Sequence, residues 1–217
     1  KIKSTLPTNV TLVAVSKTKP NEDILQAYNA GQLIFGENYV QELVDKQNSL
    51  PKDIKWHFIG HLQSNKVKYI APFVHLIHGV DSVKLLKEIN KQGEKLNKII
   101  NCLIQIYIAK EETKFGLDAL ELENLFMSAD FKELKHIKVC GLMGMATNTE
   151  DEDVIKQEFL SLSNLAKYIN ATFGKQVNLE MDIVSMGMSG DYKLAIECGS
   201  NMIRVGSSIF GQRNYTK

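Results

Sequence analysis

The chain has 217 residues, of which 44% are hydrophobic and 24% are charged, so it can bury one sizeable core and favours one large domain over two. Its net charge of +1 argues against a dominant electrostatic role in binding nucleic acid or a membrane. No apolar run is long enough to span a bilayer, no signal-peptide pattern opens the chain, and its three cysteines form no CxxC pair. We therefore predict a single domain over residues 1–217, a cytoplasmic location and no nucleic-acid or membrane partner.

Apolar, β-rich runs alternate along the chain with segments of helical character. The strand-like runs are Leu12–Ser16, Leu33–Gly36, Trp56–Gly60, Leu76–Val80, Ile99–Ile108, Ile137–Met145, Met181–Ser185 and Met202–Val205. The helix-like segments are Ile24–Ala30, Val40–Gln47, Lys66–Ala71, Val83–Leu96, Leu117–Met127, Val154–Phe173 and Tyr192–Cys198. This alternation predicts an α/β fold with a parallel sheet. Eight units favour a single, closed TIM-type (β/α)8 barrel over an open flavodoxin-like or Rossmann sheet.

Lys17 follows the first strand-like run. A barrel of this type carries its reactive groups at the C-terminal ends of the strands, so this lysine is expected at the rim where the apolar core stops. An amine beside apolar surface loses its proton more readily and can then attack an aldehyde. The chain has 24 lysines, and only its place at a strand end makes Lys17 a candidate.

The last two strand ends combine small residues with hydroxyl groups. Ser185 and Ser189 accompany the end of the seventh strand, and Gly206 and Ser207 follow the eighth. Backbone N–H groups in such loops can surround an anion, and barrels commonly bind phosphate after these two strands. Ordinary turns use the same residue types, but two such loops at the expected strands favour a phosphate site.

Arginine is rare in this chain. Among 26 basic residues only Arg204 and Arg213 are arginines, and both lie in the last 14 residues. A rigid, forked guanidinium is one reason to keep arginine where lysine is otherwise used. If a ring carries the phosphate, Arg204 could reach a ring nitrogen; the alternative is a surface ion pair.

The sequence predicts no metal site. His57 and His61 are four residues apart, but they straddle a strand end and form no HExxH helix. His75 and His78 lack acidic or thiol neighbours at ligand spacing. Walker, GxGxxG and GxSxG patterns are missing as well, which argues against P-loop, dinucleotide-binding and serine-hydrolase chemistry.

Seven stretches, taken together and in order, are similar to one known family. They are LVAVSKTKP (12–20), FGENYVQE (35–42), WHFIGHLQSNK (56–66), KFGL (114–117), GLMGMAT (141–147), SMGMSGDYKLAIECGS (185–200) and IRVGSSIFGQRNY (203–215). As a set they resemble the pyridoxal phosphate homeostasis proteins, a single-domain family related to the barrel domain of alanine racemases. The family usually has a helix before its first strand, so the N-terminal helix is expected to be incomplete here.

The resemblance implies a barrel of fold type III that binds pyridoxal phosphate (PLP). Lys17 would form a Schiff base with the cofactor, and Arg204 would face its pyridine nitrogen. Lys114 falls where the related racemases place a basic residue toward the ring hydroxyl. The cofactor-binding residues implied in this way are Lys17, Asn38, His61, Ser185, Ser189, Arg204, Gly206 and Ser207. For His61 a packing role is the alternative.

Three functions remain open at this point. The first is a carrier that stores, buffers or delivers PLP in vitamin B6 homeostasis, with apo forms of PLP-dependent enzymes as candidate recipients and a monomer or weak dimer as its state. The second is an amino-acid racemase of weak or unusual substrate use. It is disfavoured because racemases of this type draw a second acid–base residue from an additional domain that we expect this chain to lack. The third is a sugar-phosphate barrel enzyme with a Schiff-base lysine.

Overall fold

The computed structural model describes residues 2–109 and 115–212, and its parallel strands close into a barrel in the order β1 to β8. The strands are β1 Thr11–Val15, β2 Ile34–Glu37, β3 Lys55–Phe58, β4 Leu76–Val80, β5 Ile100–Gln105, β6 Ile137–Met143, β7 Leu179–Ser185 and β8 Met202–Val205. Strand β1 pairs with both β2 and β8, which closes the sheet on itself. The TIM-type barrel is therefore confirmed, and an open flavodoxin-like or Rossmann sheet is excluded.

Helices lie between successive strands and cover the outside of the barrel. They are α1 Asn21–Asn29, α2 Val40–Ser49, α3 Val67–Ile70, α4 Val83–Lys95, α5 Ala119–Met127, α6 Ala129–Lys132, α7 Glu152–Phe173, α8 Tyr192–Glu197 and α9 Ser207–Phe210. Two short 3-10 turns lie at Ile2–Thr5 and Ser64–Lys66. The sequence did not predict α6 or α9, because four residues are too few to develop helical periodicity.

Side chains that alternate along each strand build two separate layers of core. Outward-facing residues such as Phe35, Trp56 and Phe58 pack under the helices in one large cluster. Inward-facing residues fill the barrel itself, and they are Val13, Leu76, Leu103, Met143 and Met202. The strands are therefore apolar on both faces, which explains why their sequences read as continuous hydrophobic runs.

Three strands end two or three residues earlier than their hydrophobic runs predicted. Strand β3 ends at Phe58, β5 at Gln105 and β6 at Met143, whereas the apolar runs continue for two or three residues. Ile59 and Met145 lie beyond the ends of β3 and β6 and line a cleft at the top of the barrel. At these two strand ends the hydrophobic run therefore continues into loop residues that are partly buried in the lining of the cleft. Within the described ranges, no helix is long and apolar enough to cross a membrane.

Candidate functional site

A cleft of about 620 Å³ opens at the C-terminal ends of β1, β2, β7 and β8. This volume lies within the range typical of small-molecule sites, roughly 300–1,000 Å³. Its lining residues are Val15, Lys17, Asn38, Ile59, Met145, Met188, Ser189, Gly190, Arg204, Gly206, Ser207 and Gln212. The cleft therefore has an apolar floor, two cationic side chains and one edge rich in small and hydroxyl residues.

Lys17 reaches this cleft because β1 carries it past the apolar floor. Val13 packs inside the barrel, Val15 lines the cleft, and Lys17 follows two residues later at its rim. The lysine lies in a turn in which the Lys19 N–H donates to the Ser16 carbonyl at 3.0 Å. Lys17 is only partly buried, so a ligand in the cleft can approach it.

Arg204 lies deeper, inside the barrel on β8. Pairing of the first and last strands puts it beside Val13, and only 4% of its surface is exposed. Its Nη1 donates to Ser185 Oγ at 2.7 Å and its Nη2 to the Gly144 carbonyl at 3.1 Å. Burial lowers the pKa of the Arg204 guanidinium to about 10, an effect that the Asp191 carboxylate partly opposes. At neutral pH the cleft therefore contains a buried positive charge.

A chain of hydrogen bonds runs from Arg204 into the barrel. Ser185 Oγ lies 3.1 Å from His78 Nδ1, and His78 Nε2 lies 2.9 Å from His57 Nδ1. Arginine only donates, so Ser185 accepts from Arg204, and the tautomers of the two rings set the directions of the bonds to His78 and His57. Burial holds the pKa of His57 at about 3 and that of His78 well below its usual value. Both imidazoles are therefore neutral, and Arg204 carries the charge of the chain.

The hydroxyl-rich edge is formed by the loops after β7 and β8. Ser189 Oγ accepts the Gly206 N–H at 3.2 Å, which ties the two loops together. Ser207 begins α9, and the first N–H groups of a helix have no acceptor within that helix. This edge thus offers hydroxyls and backbone N–H groups without bulky side chains around them. Such an arrangement suits an anionic oxygen cluster.

Asn38 forms the opposite wall of the cleft. Its Oδ1 is buried and has no hydrogen-bond partner among the residues that the structure describes. The backbone here is closely packed, since a Cβ on Gly60 would lie 2.4 Å from the Asn38 carbonyl oxygen. A buried amide oxygen without a partner is costly, and a donor on a bound ligand would satisfy it.

Two of the residues predicted for the site do not line the cleft. Ser185 is fully buried beneath Arg204 and holds the guanidinium, so it faces the barrel interior instead of the phosphate-type edge. His61 lies in a neighbouring depression, where its Nδ1 is 2.9 Å from Asp81 Oδ2 and its ring stacks on Phe115 at 4.3 Å. Its contacts match the packing alternative. Lys114 and Arg213 lie outside the described residues.

The inward-facing polar layer was missed by reading strand ends alone. His57, His78 and Gln105 lie on strands β3 to β5 and are buried. The signal was present in the sequence, because polar residues at inward-facing, alternate positions of apolar strands predict a polar layer within the barrel. No group of three potential metal ligands occurs within the described ranges.

The matches to known proteins cover almost the whole chain. The profile of the family described as "Alanine racemase, N-terminal domain" matches residues 1–214. Relatives named "Pyridoxal phosphate homeostasis protein" from Pasteurella multocida, Schizosaccharomyces pombe and Escherichia coli K12 are 41%, 42% and 38% identical to it. The alignments cover 96%, 94% and 97% of this chain and 88%, 85% and 89% of the relatives. The chain belongs to the pyridoxal phosphate homeostasis protein family.

Solved structures agree with this family membership. PipY of Synechococcus elongatus PCC7942 is 33% identical and covers 97% of this chain and 96% of its own, with TM-scores of 0.89 without PLP and 0.86 with PLP bound. Alanine racemase from Clostridium difficile 630, in complex with cycloserine, has a TM-score of 0.76 at 13% identity. That match covers 99% of this chain and 58% of the racemase, and it shows a shared fold alone.

Lowering the pH from 7 to 5 should destabilise the protein through its two buried neutral histidines. Below their ordinary pKa of 6.5, the unfolded chain binds protons that folded His57 and His78 do not. Stability that is present above pH 6.5 is therefore lost as the pH falls, and for His57 the loss at pH 5 is about 2 kcal/mol. His78 adds a loss in the same direction. Urea unfolding at both pH values should show a smaller loss for His57→Gln than for the wild type. Equal losses would contradict the buried neutral imidazole.

Proposed function

We propose that this protein binds PLP in the cleft above the barrel, with Lys17 as the attachment point, and that it buffers or delivers the cofactor. One observation carries the proposal: a strand-end amine, a buried guanidinium and a hydroxyl-rich edge meet in a single cleft. These three features correspond to the aldehyde, the pyridine nitrogen and the phosphate of the cofactor. The names of the relatives and the PLP-bound PipY support the same reading.

The residues of the cleft fit the cofactor. Ser189, Gly206 and Ser207 would hold the phosphate through hydroxyl and backbone N–H groups. The unpartnered Oδ1 of Asn38 would accept a hydrogen bond from a group on the ring. Ser185 would act indirectly, because it holds Arg204 from below.

Arg204 would set the electronic character of the bound ring. Bound PLP supplies an electron sink whose strength depends on the group at its pyridine nitrogen. Arginine has no acceptor, so it can only donate to that nitrogen. The Ser185 contact and the Gly144 carbonyl keep the guanidinium in place and charged. An arginine at this position would hold the ring nitrogen unprotonated, which would make the bound ring a weaker electron sink.

The lining of the cleft favours a carrier over a racemase. A racemase needs a second acid–base residue across the substrate from the lysine. Among the described residues that line the cleft, none is a tyrosine, histidine, aspartate, glutamate or cysteine. Among these described lining residues, Lys17 is thus the one whose side chain commonly serves as an acid–base group in enzymes. The match to PipY supports the proposal of a single domain over residues 1–217, because it covers 96% of the PipY chain.

Addition of PLP should produce a visible absorption band that depends on Lys17. Borohydride reduction should fix one phosphopyridoxyl group on the peptide that contains Lys17, and Lys17→Ala should abolish both the band and the adduct. Lys52→Ala is the matched control, because Lys52 is exposed and precedes β3 at the opposite end of the barrel. A protein that remains colourless, or an adduct that survives in Lys17→Ala, would overturn the proposal.

The phosphate edge should be detectable by comparing PLP with pyridoxal. Ser207→Ala removes a hydroxyl from the edge and should weaken PLP binding about tenfold, the size of one hydrogen bond to a charged group. Pyridoxal lacks the phosphate, so its affinity should not change. Ser208→Ala is the control, since Ser208 is exposed and does not line the cleft. Equal weakening of both ligands by Ser207→Ala would place the phosphate elsewhere.

The racemase alternative makes an opposite prediction about the α-proton of amino acids. PLP-loaded protein in deuterated water should not form the D-isomers of L-amino acids faster than free PLP does. Lys17 alone could exchange the α-proton on one face, but inversion needs a second acid–base residue, and none faces Lys17 within the described lining. Exchange is measured by proton NMR over a panel of amino acids. Rapid exchange that requires Lys17, with appearance of the D-isomer, would establish the racemase instead.

A further inference from the structure

The turn that presents Lys17 contains an unfavourable backbone conformation. The Lys19 N–H to Ser16 carbonyl hydrogen bond closes the turn, and Lys17 and Thr18 are its central residues. Thr18 has a φ of 62°, in the left-handed region where turns normally place glycine or asparagine. Threonine is branched at Cβ and disfavours this region strongly. Surrounding contacts must therefore hold the turn in place.

Two side chains of helix α2 hydrogen-bond to the backbone of this turn on both sides of Lys17. Glu42 Oε1 accepts the Thr18 N–H at 2.6 Å, and Lys46 Nζ donates to the Ser16 carbonyl at 2.8 Å. The two side chains are also bonded to each other, with Lys46 Nζ 2.6 Å from Glu42 Oε1. The backbone immediately before and immediately after Lys17 is thus fixed by one ion pair.

The ion pair is completed by a buried carboxyl group. Lys46 is 5% exposed, and its Nζ also lies 2.8 Å from Oε1 of the fully buried Glu37, which accepts from Ser16 Oγ at 2.5 Å. Burial raises the pKa of Glu37, although Lys46 and Ser16 oppose the shift. Burying such a group of charges is costly and gives little stability compared with apolar packing. Because this group of charges contacts the backbone of the turn, we infer that it fixes the conformation of the turn.

We propose that Glu42 and Lys46 are positioning residues that hold the Ser16–Lys19 turn so that the Lys17 amine stays at the cleft. We call this group the α2 clamp. The effect on the turn is independent of any ligand. The effect on cofactor attachment rests on the proposed function, since it requires that Lys17 is the attachment point. Both effects follow from the charge-assisted hydrogen bonds, which are stronger and shorter than neutral ones.

The clamp can be tested without cofactor by hydrogen–deuterium exchange. Thr18 is exposed, yet its amide should be protected in the wild type because Glu42 accepts its proton. Glu42→Ala should speed exchange of this amide about tenfold, whereas Glu42→Gln keeps an acceptor oxygen and should restore most of the protection. Asp45→Ala is the control on the same helix, where an exposed bond to Gln41 is lost. An unprotected wild-type amide, or equal exchange in wild type and Glu42→Ala, would overturn the clamp.

The second arm measures the rate at which PLP becomes attached to Lys17, trapped by borohydride. Glu42→Ala should slow attachment about tenfold, with Glu42→Gln intermediate and Asp45→Ala unchanged, after matching for folded fraction by urea unfolding. Faster exchange at Thr18 with an unchanged attachment rate would overturn the positioning role. A wild-type protein that never attaches PLP would refute the proposed function, and the exchange experiment would still decide whether the clamp exists.

Discussion

Closure of the barrel by β1 and β8 is the constraint on which the site depends. These are the first and last strands of the chain, and their pairing puts Val13 beside Arg204 in register. Because side chains alternate along a strand, Val13 and Val15 lie on the same side of the sheet, and Lys17 follows β1 in the lining of the cleft. An amine and a guanidinium that are 187 positions apart in sequence therefore share one cleft. A slip of one residue in this register would turn Arg204 outward into the helical layer.

A second constraint is the polar layer that replaces hydrophobic packing in the upper barrel. Arg204 is buried without an ion-pair partner among the described residues, and its contacts are a serine hydroxyl and a backbone carbonyl. His78 and His57 extend the chain of hydrogen bonds but remain neutral, so they orient Ser185 without cancelling the charge. The site thus keeps a positive charge in the lining of the cleft, at a cost in folding stability. The rest of the barrel offsets that cost through its two apolar layers.

Much of this arrangement was predictable from the sequence, because strand ends in a parallel barrel meet at one face. Eight apolar runs predicted the barrel, and Lys17, Asn38, Ser189, Arg204 and the Gly206–Ser207 pair all line the cleft. The boundaries were less accurate, since apolar loop residues that line the cleft extend the hydrophobic runs beyond the strands. Four-residue helices gave no periodic signal at all.

The positions of the strand ends did not predict the orientation of individual side chains. Ser185 is the last residue of β7 and points inward below Arg204, while His61 follows Gly60 and turns away to Asp81. The α2 clamp was not predictable from the sequence either, because it joins the turn after β1 to helix residues that lie 24 to 30 positions later. Such contacts depend on the packing angle of a helix against the barrel, which local sequence does not encode.

The most direct test of the central claim is a crystal structure of the protein with PLP. We expect continuous electron density between Lys17 Nζ and the cofactor. We also expect the pyridine nitrogen at hydrogen-bonding distance from Arg204 and the phosphate against Ser189, Gly206 and Ser207. Cofactor density outside this cleft, or a ring turned so that Arg204 meets the phosphate instead of the nitrogen, would contradict it.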